Sequence, residues 1–286
     1  MGVPPKNSRW GVFAQDEITL TDRLTLNVGL RHDQPAEGKA RLSPRLALIR
    51  QHDADTTVKA LYGTAFRAPN AYEGYYNAAG VYSLNPDIRA EEIKTYELVL
   101  ERRLDPRTRA VAAAFHYQIS NLIDLTTVEG DPDDPTDDLL RFENLSKVKA
   151  DGLELEAERR WEDGSQLKAS YTWQVVRDDK GQRLDNSPRH LAKLHYARPL
   201  LDNRLRLGLE GQYLSSRSTA KGGKVGAYPL FNLTLSAPKM AKGLELSASV
   251  YNLLDRSYAD PGSDEHVQDR LMQDGRRYQL RLSYRF

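Results

Sequence analysis

The chain ends in the segment YQLRLSYRF, residues 278–286, in which apolar and polar side chains alternate without interruption. The apolar positions are Tyr278, Leu280, Leu282, Tyr284 and Phe286, and the polar positions between them are Gln279, Arg281, Ser283 and Arg285. Successive side chains of a β-strand point to opposite faces of the sheet. The alternation therefore predicts a terminal strand with one apolar and one wet face.

The overall hydropathy of the chain does not decide between a soluble and a membrane protein. The 286 residues have a mean hydropathy of −0.64, and no apolar run approaches the ~20 residues that a spanning helix needs. A membrane-spanning strand, however, shows only every second residue to lipid, so its hydropathy signal is weak. The class of protein must be decided from the pattern of strands and turns.

Charge and cysteine content exclude some classes of function. The net charge is +1 although 28% of the residues are charged, so no electrostatic case exists for a nucleic-acid partner. The absence of cysteine excludes disulfides and thiolate metal sites and fits an oxidising periplasmic route. The opening residues, MGVPPKNSRW, lack the apolar region of a signal peptide, which predicts a truncated product or a misassigned start.

The alternation seen at the end of the chain recurs along its whole length. It predicts thirteen strands, at Arg9–Leu20, Leu24–His32, Arg41–Arg50, Thr56–Phe66, Glu91–Arg103, Thr108–Leu125, Lys147–Trp161, Gln166–Arg177, Arg189–Pro199, Arg204–Ser215, Tyr228–Ala237, Leu244–Leu253 and Tyr278–Phe286. No predicted helix or wholly apolar strand is present to cover a second sheet.

Short and long connections alternate between these segments. Tight turns are predicted at 21–23, 51–55, 104–107, 162–165, 201–203 and 238–243, and longer links at 67–90, 126–146, 178–188, 216–227 and 254–274, with a shorter one at 33–40. Counting back from Phe286, every tight turn falls on the same side. A β-sandwich has no reason to keep this parity, whereas short periplasmic turns and long extracellular loops are typical of outer-membrane barrels. The sequence predicts an all-β, antiparallel transmembrane β-barrel in the outer membrane of a Gram-negative bacterium.

The predicted strands carry polar side chains that a barrel would place in its lumen. On the segment 204–215 the polar positions are Arg206, Glu210 and Gln212, and the apolar positions are Leu205, Leu207, Leu209 and Tyr213. In a soluble protein the polar face would be a solvated surface; in a barrel it lines the lumen. We expect Leu205, Leu207, Leu209, Leu280 and Leu282 to face lipid.

Four motifs occur in an order that resembles the TonB-dependent outer-membrane receptors of the siderophore type. The family shows a strand ending in F-R-A-P, a loop, and then an N-P…E…Y-E-L frame, here Phe66-Arg67-Ala68-Pro69, then Asn85-Pro86, Glu91 and Tyr96-Glu97-Leu98. Its N-x-G-x-E-x-E strand is similar to Asn144 followed by Gly152-Leu153-Glu154-Leu155-Glu156, and its penultimate-strand signature to Asn252-Leu253-Leu254-Asp255-Arg256-Ser257-Tyr258. Phe286 corresponds to its terminal aromatic residue.

The resemblance implies TonB-energised uptake of a ferric siderophore, or of vitamin B12, haem or another metal complex. The family's barrel has ~22 strands around a plug, and the inner-membrane TonB–ExbB–ExbD complex acts through that plug. With about thirteen predicted strands, residues 1–286 are expected to be the C-terminal portion of the barrel, without the plug domain and the N-terminal strands. Such a fragment is expected to be inactive by itself. The resemblance also implies recognition of Phe286 by the barrel assembly machinery.

The candidate ligand-binding residues lie in the predicted extracellular loop 67–89. They are Arg67, Tyr72, Tyr75, Tyr76 and Tyr82. Tyrosine rings stack well on catecholate or planar ligands, which suits the capture of a siderophore. The alternatives are a loop that packs on itself and an anchor in the lipid headgroups.

No catalytic residue, metal site or cofactor is predicted. The acidic loop residues Asp131, Asp133, Asp134, Asp137 and Asp138 lack the glycine and terminal glutamate of an EF-hand, so a solvated loop is favoured over a Ca²⁺ site. His52, His190 and His266 are expected in turns or loops, and haem ligation by His266 has little support. His116 and His195 are expected on strands, as lumen or girdle residues.

Two other classes of outer-membrane barrel remain as alternatives. A barrel enzyme needs a hydroxyl or acid beside a histidine for general-base catalysis, and neither G-x-S-x-G nor a clear Ser–His pair is present. A passive porin would not need the N-P…Y-E-L frame and would be expected to carry an acidic constriction loop. The motifs favour transport over both, but they do not name the ligand.

Overall fold

A computed structural model describes residues 8–35, 39–128, 139–263 and 266–286. Its elements, in chain order, are β1 (Trp10–Thr21), β2 (Leu24–Gln34), β3 (Arg41–Gln51), β4 (Thr56–Arg67), α1 (Ala71–Tyr75), β5 (Glu91–Asp105), β6 (Thr108–Val128), β7 (Leu139–Arg160), β8 (Gln166–Asp178), β9 (His190–Leu200), β10 (Leu205–Leu214), β11 (Arg217–Ser218), β12 (Lys224–Val225), β13 (Tyr228–Ala241), β14 (Leu244–Tyr251), β15 (Ala259–Pro261), β16 (Arg270–Met272) and β17 (Arg277–Tyr284).

Thirteen of these strands form one antiparallel sheet, as the sequence predicts. The spatial order is the chain order, β1 to β10 followed by β13, β14 and β17. Each strand pairs with the next through a hairpin, so the sheet is a meander built entirely from local connections. Among the described residues, no helix is long and apolar enough to cross a membrane.

The two faces of the sheet separate apolar from polar side chains. Leu209 lies opposite Tyr196 on one neighbouring strand and Leu233 on the other, whereas the adjacent Glu210 lies opposite His195 and Asn232. The apolar face is open: Leu280 is 73% and Leu282 is 65% exposed. Because an open apolar face of this extent is costly in water, it is the lipid face of a barrel wall, and the polar face lines the lumen.

The two edge strands of the sheet, β1 and β17, have the same chain direction. Among the described residues, each of them pairs with a strand on one side only. The sheet has thirteen strands that alternate in direction, so both edge strands run from the side of the long loops to the side of the short turns. Joining β1 directly to β17 would require a parallel pair, whereas an all-antiparallel barrel needs an odd number of further strands between them.

The longest hairpin extends well beyond the predicted strand ends. β6 and β7 pair continuously from Thr108 opposite Arg159 to Val128 opposite Leu139, apart from an irregularity at Asn121, whose φ is 55°. The prediction of a loop over 126–146 was therefore too broad. Backbone hydrogen bonds can continue above the membrane with polar side chains on both faces, so the apolar pattern that marks strands in lipid is missing there. The Asp131–Asp138 residues of the acidic loop lie outside the described residues.

Three other long connections contain secondary structure that the sequence analysis did not predict. The connection 67–90 includes the five-residue helix α1, and the two pairs β11–β12 and β15–β16 lie in the connections 216–227 and 254–274. His190, expected in a turn, is the first residue of β9. These elements are too short for hydrophobic periodicity to reveal them.

Candidate functional site on the outer loops

Arg67 fixes the start of the outer connection between β4 and β5. Its Nε and one terminal nitrogen donate to the two oxygens of Glu91 at 2.7 and 2.8 Å, and the other terminal nitrogen donates to both oxygens of Glu73 at 2.8 Å. The Arg67 guanidinium thus joins the end of β4, the start of β5 and helix α1. All three guanidinium nitrogens of Arg67 donate to these two carboxylates. The predicted contact between Arg67 and a ligand stays a prediction.

A reciprocal cap starts helix α1 directly after the F-R-A-P motif. Asn70 accepts the backbone N–H of Glu73 at 2.9 Å, and the Glu73 carboxylate accepts the backbone N–H of Asn70 at 2.8 Å. This capping box satisfies two N–H groups that the first turn would otherwise leave unpaired. Since Glu73 also binds Arg67, the cap and the ion pair position the same turn of helix.

Three of the four predicted tyrosines come together in one aromatic cluster. The rings of Tyr72 and Tyr76 stack with centroids 4.5 Å apart, and Tyr82 meets their edges at 6.3 and 5.0 Å. Phe142 of β7 meets the edge of Tyr72 at 5.5 Å. Tyr72 is 44% exposed and the other three rings are half-buried, so the cluster presents Tyr72 to solvent, next to the 45% exposed Tyr75. These four rings are called the aromatic platform below: Tyr72, Tyr76, Tyr82 and Phe142.

Backbone pairing seats the loop on the extension of β7. The N–H of Ser83 donates to the carbonyl of Leu140 at 2.8 Å, and the N–H of Leu140 donates to the carbonyl of Val81 at 2.9 Å. The side-chain amide of Asn85, from the N-P motif, donates to the carbonyl of Phe142 at 2.8 Å. The loop is therefore hydrogen-bonded along β7, and this pairing orients the aromatic platform.

Asn144 closes the other end of the same loop. Its side-chain amide donates to the carbonyls of Arg89 and Asn121 at 2.9 and 2.7 Å, and its side-chain oxygen accepts the N–H of Arg89 at 2.8 Å. Asn144 was noted in the sequence only as part of a motif. Phe142 was missed, because it lies in a stretch predicted as a loop and carries no local signal.

A second cluster on the outer side, centred on Arg217, was also missed. Arg217 is 7% exposed and donates to Asn186 at 3.0 Å, to the Tyr228 hydroxyl at 3.2 Å and to Asp260 at 2.8 Å. Tyr258 packs against Tyr228 with ring centroids 4.7 Å apart. These residues belong to three outer connections, which Arg217 ties together. Burial, reinforced by the charges of Asp260 and Asp274, raises the pKa of Tyr258.

The last two outer connections are joined at a further point. Lys221 donates to the carbonyls of His266 and Val267 at 2.8 and 3.2 Å, and Asp269 packs so closely on Gly223 that a side chain at 223 would overlap it. His266 Nδ1 lies 2.7 Å from the Ser263 hydroxyl. Within the described ranges, no three His, Asp or Glu side chains are placed to hold a metal ion.

The chain is similar to receptors and transporters of Gram-negative outer membranes. It is 25% identical over 301 residues to the iron-regulated outer membrane virulence protein of Vibrio cholerae, covering 98% of this chain and 45% of that protein. It is 26% identical over 272 residues to the vitamin B12 transporter BtuB of the same species, covering 91% of this chain and 40% of the transporter. The chain thus spans less than half the length of these relatives.

Solved structures share the fold of the chain. A mutant of the ferric enterobactin receptor PfeA of Pseudomonas aeruginosa superimposes with a TM-score of 0.77 at 22% identity, over 97% of this chain and 45% of that one. The copper transporter OprC superimposes with a TM-score of 0.75 at 18% identity, over 97% of this chain and 47% of that one. The family model described as "TonB dependent receptor-like, beta-barrel" matches residues 4–253. The chain therefore belongs to the TonB-dependent receptor β-barrel family.

Proposed function

We propose that the chain forms the C-terminal strands of a receptor that takes up a ferric siderophore or a similar metal complex across the outer membrane. The observation that carries this proposal is the aromatic platform, which stands on the outer side of the sheet, above a polar lumen face. Its rings are held by the Arg67 ion pairs and by pairing with β7. A preorganised set of rings with Tyr72 exposed is suited to bind a planar or catecholate ligand at a low cost in conformational entropy.

The individual residues have different roles in this proposal. Tyr72 and Tyr75, which are the exposed tyrosines of this connection, contact the ligand first. Tyr76 supports Tyr72 by stacking on its ring, and Tyr82 supports it by an edge contact. Arg67 positions the helix through Glu73 and Glu91, and it offers a cationic surface to an anionic complex only through the part of its guanidinium that these carboxylates leave accessible.

The names of the relatives support a metal complex as the cargo. They include an iron-regulated outer-membrane protein, a vitamin B12 transporter and a ferrienterobactin receptor. The cargoes that these names specify, vitamin B12 and ferrienterobactin, are bulky metal complexes, too large for a narrow passive pore. Active uptake through the TonB–ExbB–ExbD complex, acting on a plug domain, is therefore part of the proposal, and a passive porin and a barrel enzyme are disfavoured.

The geometry of the sheet edges supports a larger barrel. The described part of the chain forms a sheet of thirteen strands whose first and last strands run in the same direction, and the family's barrels have ~22. The difference is odd, as an all-antiparallel closure requires. We propose that further strands and a plug complete the receptor, and that Phe286 is recognised by the barrel assembly machinery when the receptor is inserted.

Growth on ferric siderophores as the sole iron source tests the role of the platform in a receptor that carries this chain. Replacing Tyr72, Tyr75 and Tyr76 together by alanine should reduce uptake without lowering surface abundance. Leu254→Ala with Val267→Ala, at exposed apolar positions of another outer connection, is the matched control and should leave uptake unchanged. Unchanged growth of the triple variant at normal surface abundance would reject the proposed site.

A further inference from the structure

Four arginines lie on the lipid-facing side of the sheet at the ends of strands nearest the short turns. They are Arg50 on β3, Arg102 on β5, Arg159 on β7 and Arg198 on β9. The strand register fixes their side, because directly opposite residues share a face: Arg50 lies opposite Val58, Arg159 opposite Leu167 and Arg198 opposite Leu207. All four side chains are exposed. They are called the arginine belt below.

The arginine belt lies at one height, close to the short turns. The row of paired residues that starts at Arg50 reaches β5 at Leu100, and Arg102 lies two residues nearer the turn. The row from Arg102 reaches β7 at Ala157, again two residues from Arg159. Barrel strands are tilted by about 40° from the membrane normal. Moving across two strands therefore changes the height along that normal by ~6 Å, and moving two residues along a strand reverses ~5 Å of this change. The repeated two-residue step therefore keeps the belt level.

Three arginines that point into the lumen from the same hairpins have carboxylate partners, whereas Arg45 and Arg206 have no ion pair among the described residues. Arg103 pairs with Asp55 at 2.8 Å, Arg109 with Glu101 at 3.3 Å and Arg160 with Glu158 at 3.0 Å. No ion pair among the described residues involves a belt arginine. An unpaired guanidinium in a wet lumen is solvated by water, but one on the lipid face is not, so the belt points to an anion outside the protein.

The nearest acids do not neutralise the belt. Asp105 and Asp163 lie within electrostatic range of Arg159 and Arg198. Their carboxylates, however, accept the turn N–H groups of Arg107 and Ser165 at 2.8 and 2.9 Å, outside salt-bridge distance of the belt. Asp105 and Asp163 therefore stabilise their own turns, and the guanidinium groups of the belt remain available to a ligand.

Aromatic side chains mark the belt's depth in the membrane. The guanidinium of Arg159 lies over the ring of Trp161 at 5.3 Å, and Trp161 meets the edge of Tyr196 at 6.4 Å. Tryptophan and tyrosine collect at the level of the lipid headgroups. Since the short turns are periplasmic, the belt stands at the headgroups of the periplasmic leaflet.

We propose that the arginine belt binds the phosphates of anionic phospholipids in the periplasmic leaflet. Guanidinium groups bind phosphate through two parallel hydrogen bonds. Neighbouring belt arginines are two strands and two residues apart, about 12 Å, so each takes a separate headgroup. The belt shares its face with Leu207 and Leu209, which match the acyl chains of a lipid. A soluble anion would gain nothing from this apolar face. The proposal does not depend on which ligand the receptor transports.

Lipid retention tests the belt in the complete receptor that carries this chain. Purified protein is loaded with phosphatidylglycerol in micelles, and bound lipid is counted by native mass spectrometry. The variant R50Q/R102Q/R159Q/R198Q should bind about fivefold more weakly for each arginine removed. The control R45Q/K168Q/R206Q/R281Q removes the same charge from the lumen face and should retain lipid as the unaltered protein does.

A further variant and a competitor separate the possible outcomes. Replacing the four belt arginines by lysine keeps the charge but not the two parallel hydrogen bonds, so this variant should bind lipid more tightly than the glutamine variant and more weakly than the unaltered protein. An unchanged thermal unfolding temperature of the glutamine variant excludes misfolding as the cause of its loss. Equal lipid retention by the belt variant and the control would overturn the proposal. Displacement of the lipid by millimolar inorganic phosphate would also overturn it, because the site would then recognise a free anion.

Discussion

The ring of Phe115 on β6 covers Gly152 on β7. The two residues are directly paired across the strands, and a Cβ atom at 152 would overlap both the Phe115 ring and the carbonyl oxygen of Trp173. Phe115 is buried and stacks on Tyr117 with centroids 4.6 Å apart. On the lumen face, this aromatic cover shields the glycine backbone. The glycine of the family's N-x-G-x-E-x-E strand is therefore required by packing.

Gly152→Ala should lower the free energy of unfolding by about 1–3 kcal/mol, because the added methyl group meets a backbone atom that cannot move aside. Urea unfolding in lipid vesicles measures the change. Gly208→Ala is the control, since the nearest atoms to its Cβ are at 3.8 Å, in ordinary contact. If Gly152→Ala were as stable as Gly208→Ala, the close approach of Phe115 would be wrong.

The assignment of faces predicts opposite tolerance at nearby positions of β10. Leu209→Arg places a charge on the lipid face near the middle of the strand and should cost about 2–4 kcal/mol, whereas Gln212→Arg on the lumen face should cost little. Insertion efficiency into the outer membrane, measured by protease accessibility, reports the difference. Equal insertion of the two variants would show that Leu209 does not face lipid.

Asn252 stabilises the point where β14 leaves the sheet. Its φ is 49°; its side chain accepts the N–H of Arg256 and donates to the Arg256 carbonyl, both at 2.9 Å. Asn252→Ala should cost about 3 kcal/mol, from lost hydrogen bonds and a strained backbone. Asn252→Gly, which relieves the strain alone, should recover about 1 kcal/mol. Thermal unfolding of both variants measures these terms, and equal stability of the two would contradict a conformational role.

Arg217 should control the rigidity of three outer connections together. Arg217→Met removes charged hydrogen bonds to Asn186, Tyr228 and Asp260, each worth about 1.5–3 kcal/mol. Hydrogen exchange should rise in all three connections. Arg177→Met, which loses one bond to the Gly181 carbonyl, is the control and should affect only its own loop. An increase confined to the connection 216–227 would show that Arg217 does not couple them.

The open edges predict that residues 1–286 cannot transport by themselves. Unpaired backbone groups at β1 and β17 would each cost several kcal/mol in hydrocarbon, and direct closure would need a parallel pair. Expressed behind a signal peptide in a strain without its own receptors, the chain should not restore TonB-dependent uptake. Restored uptake would contradict this prediction. Leakage of small solutes independent of TonB would instead reveal a reclosed pore.

The sequence was sufficient for the strands that cross the membrane. Lipid on one side and water on the other force an alternation at every second residue, so the thirteen strands, their order and the side of each short turn could all be predicted. The same alternation identified Leu209 as lipid-facing and Glu210 as lumen-facing. Above the membrane both faces of a strand are wet, the alternation disappears, and the extensions of β6 and β7 were predicted as loop.

The candidate site was only partly predictable for a related reason. The tyrosines of the connection 67–89 were visible as a cluster in sequence, but Phe142 joins them from a strand far along the chain, and Arg217 gathers partners from three separate connections. The arginine belt likewise appears only when the register aligns residues about fifty positions apart. The sequence alone determined which residues face lipid, because that environment acts on each strand separately. Only the tertiary structure decided which side chains meet, because those contacts depend on how distant segments are brought together.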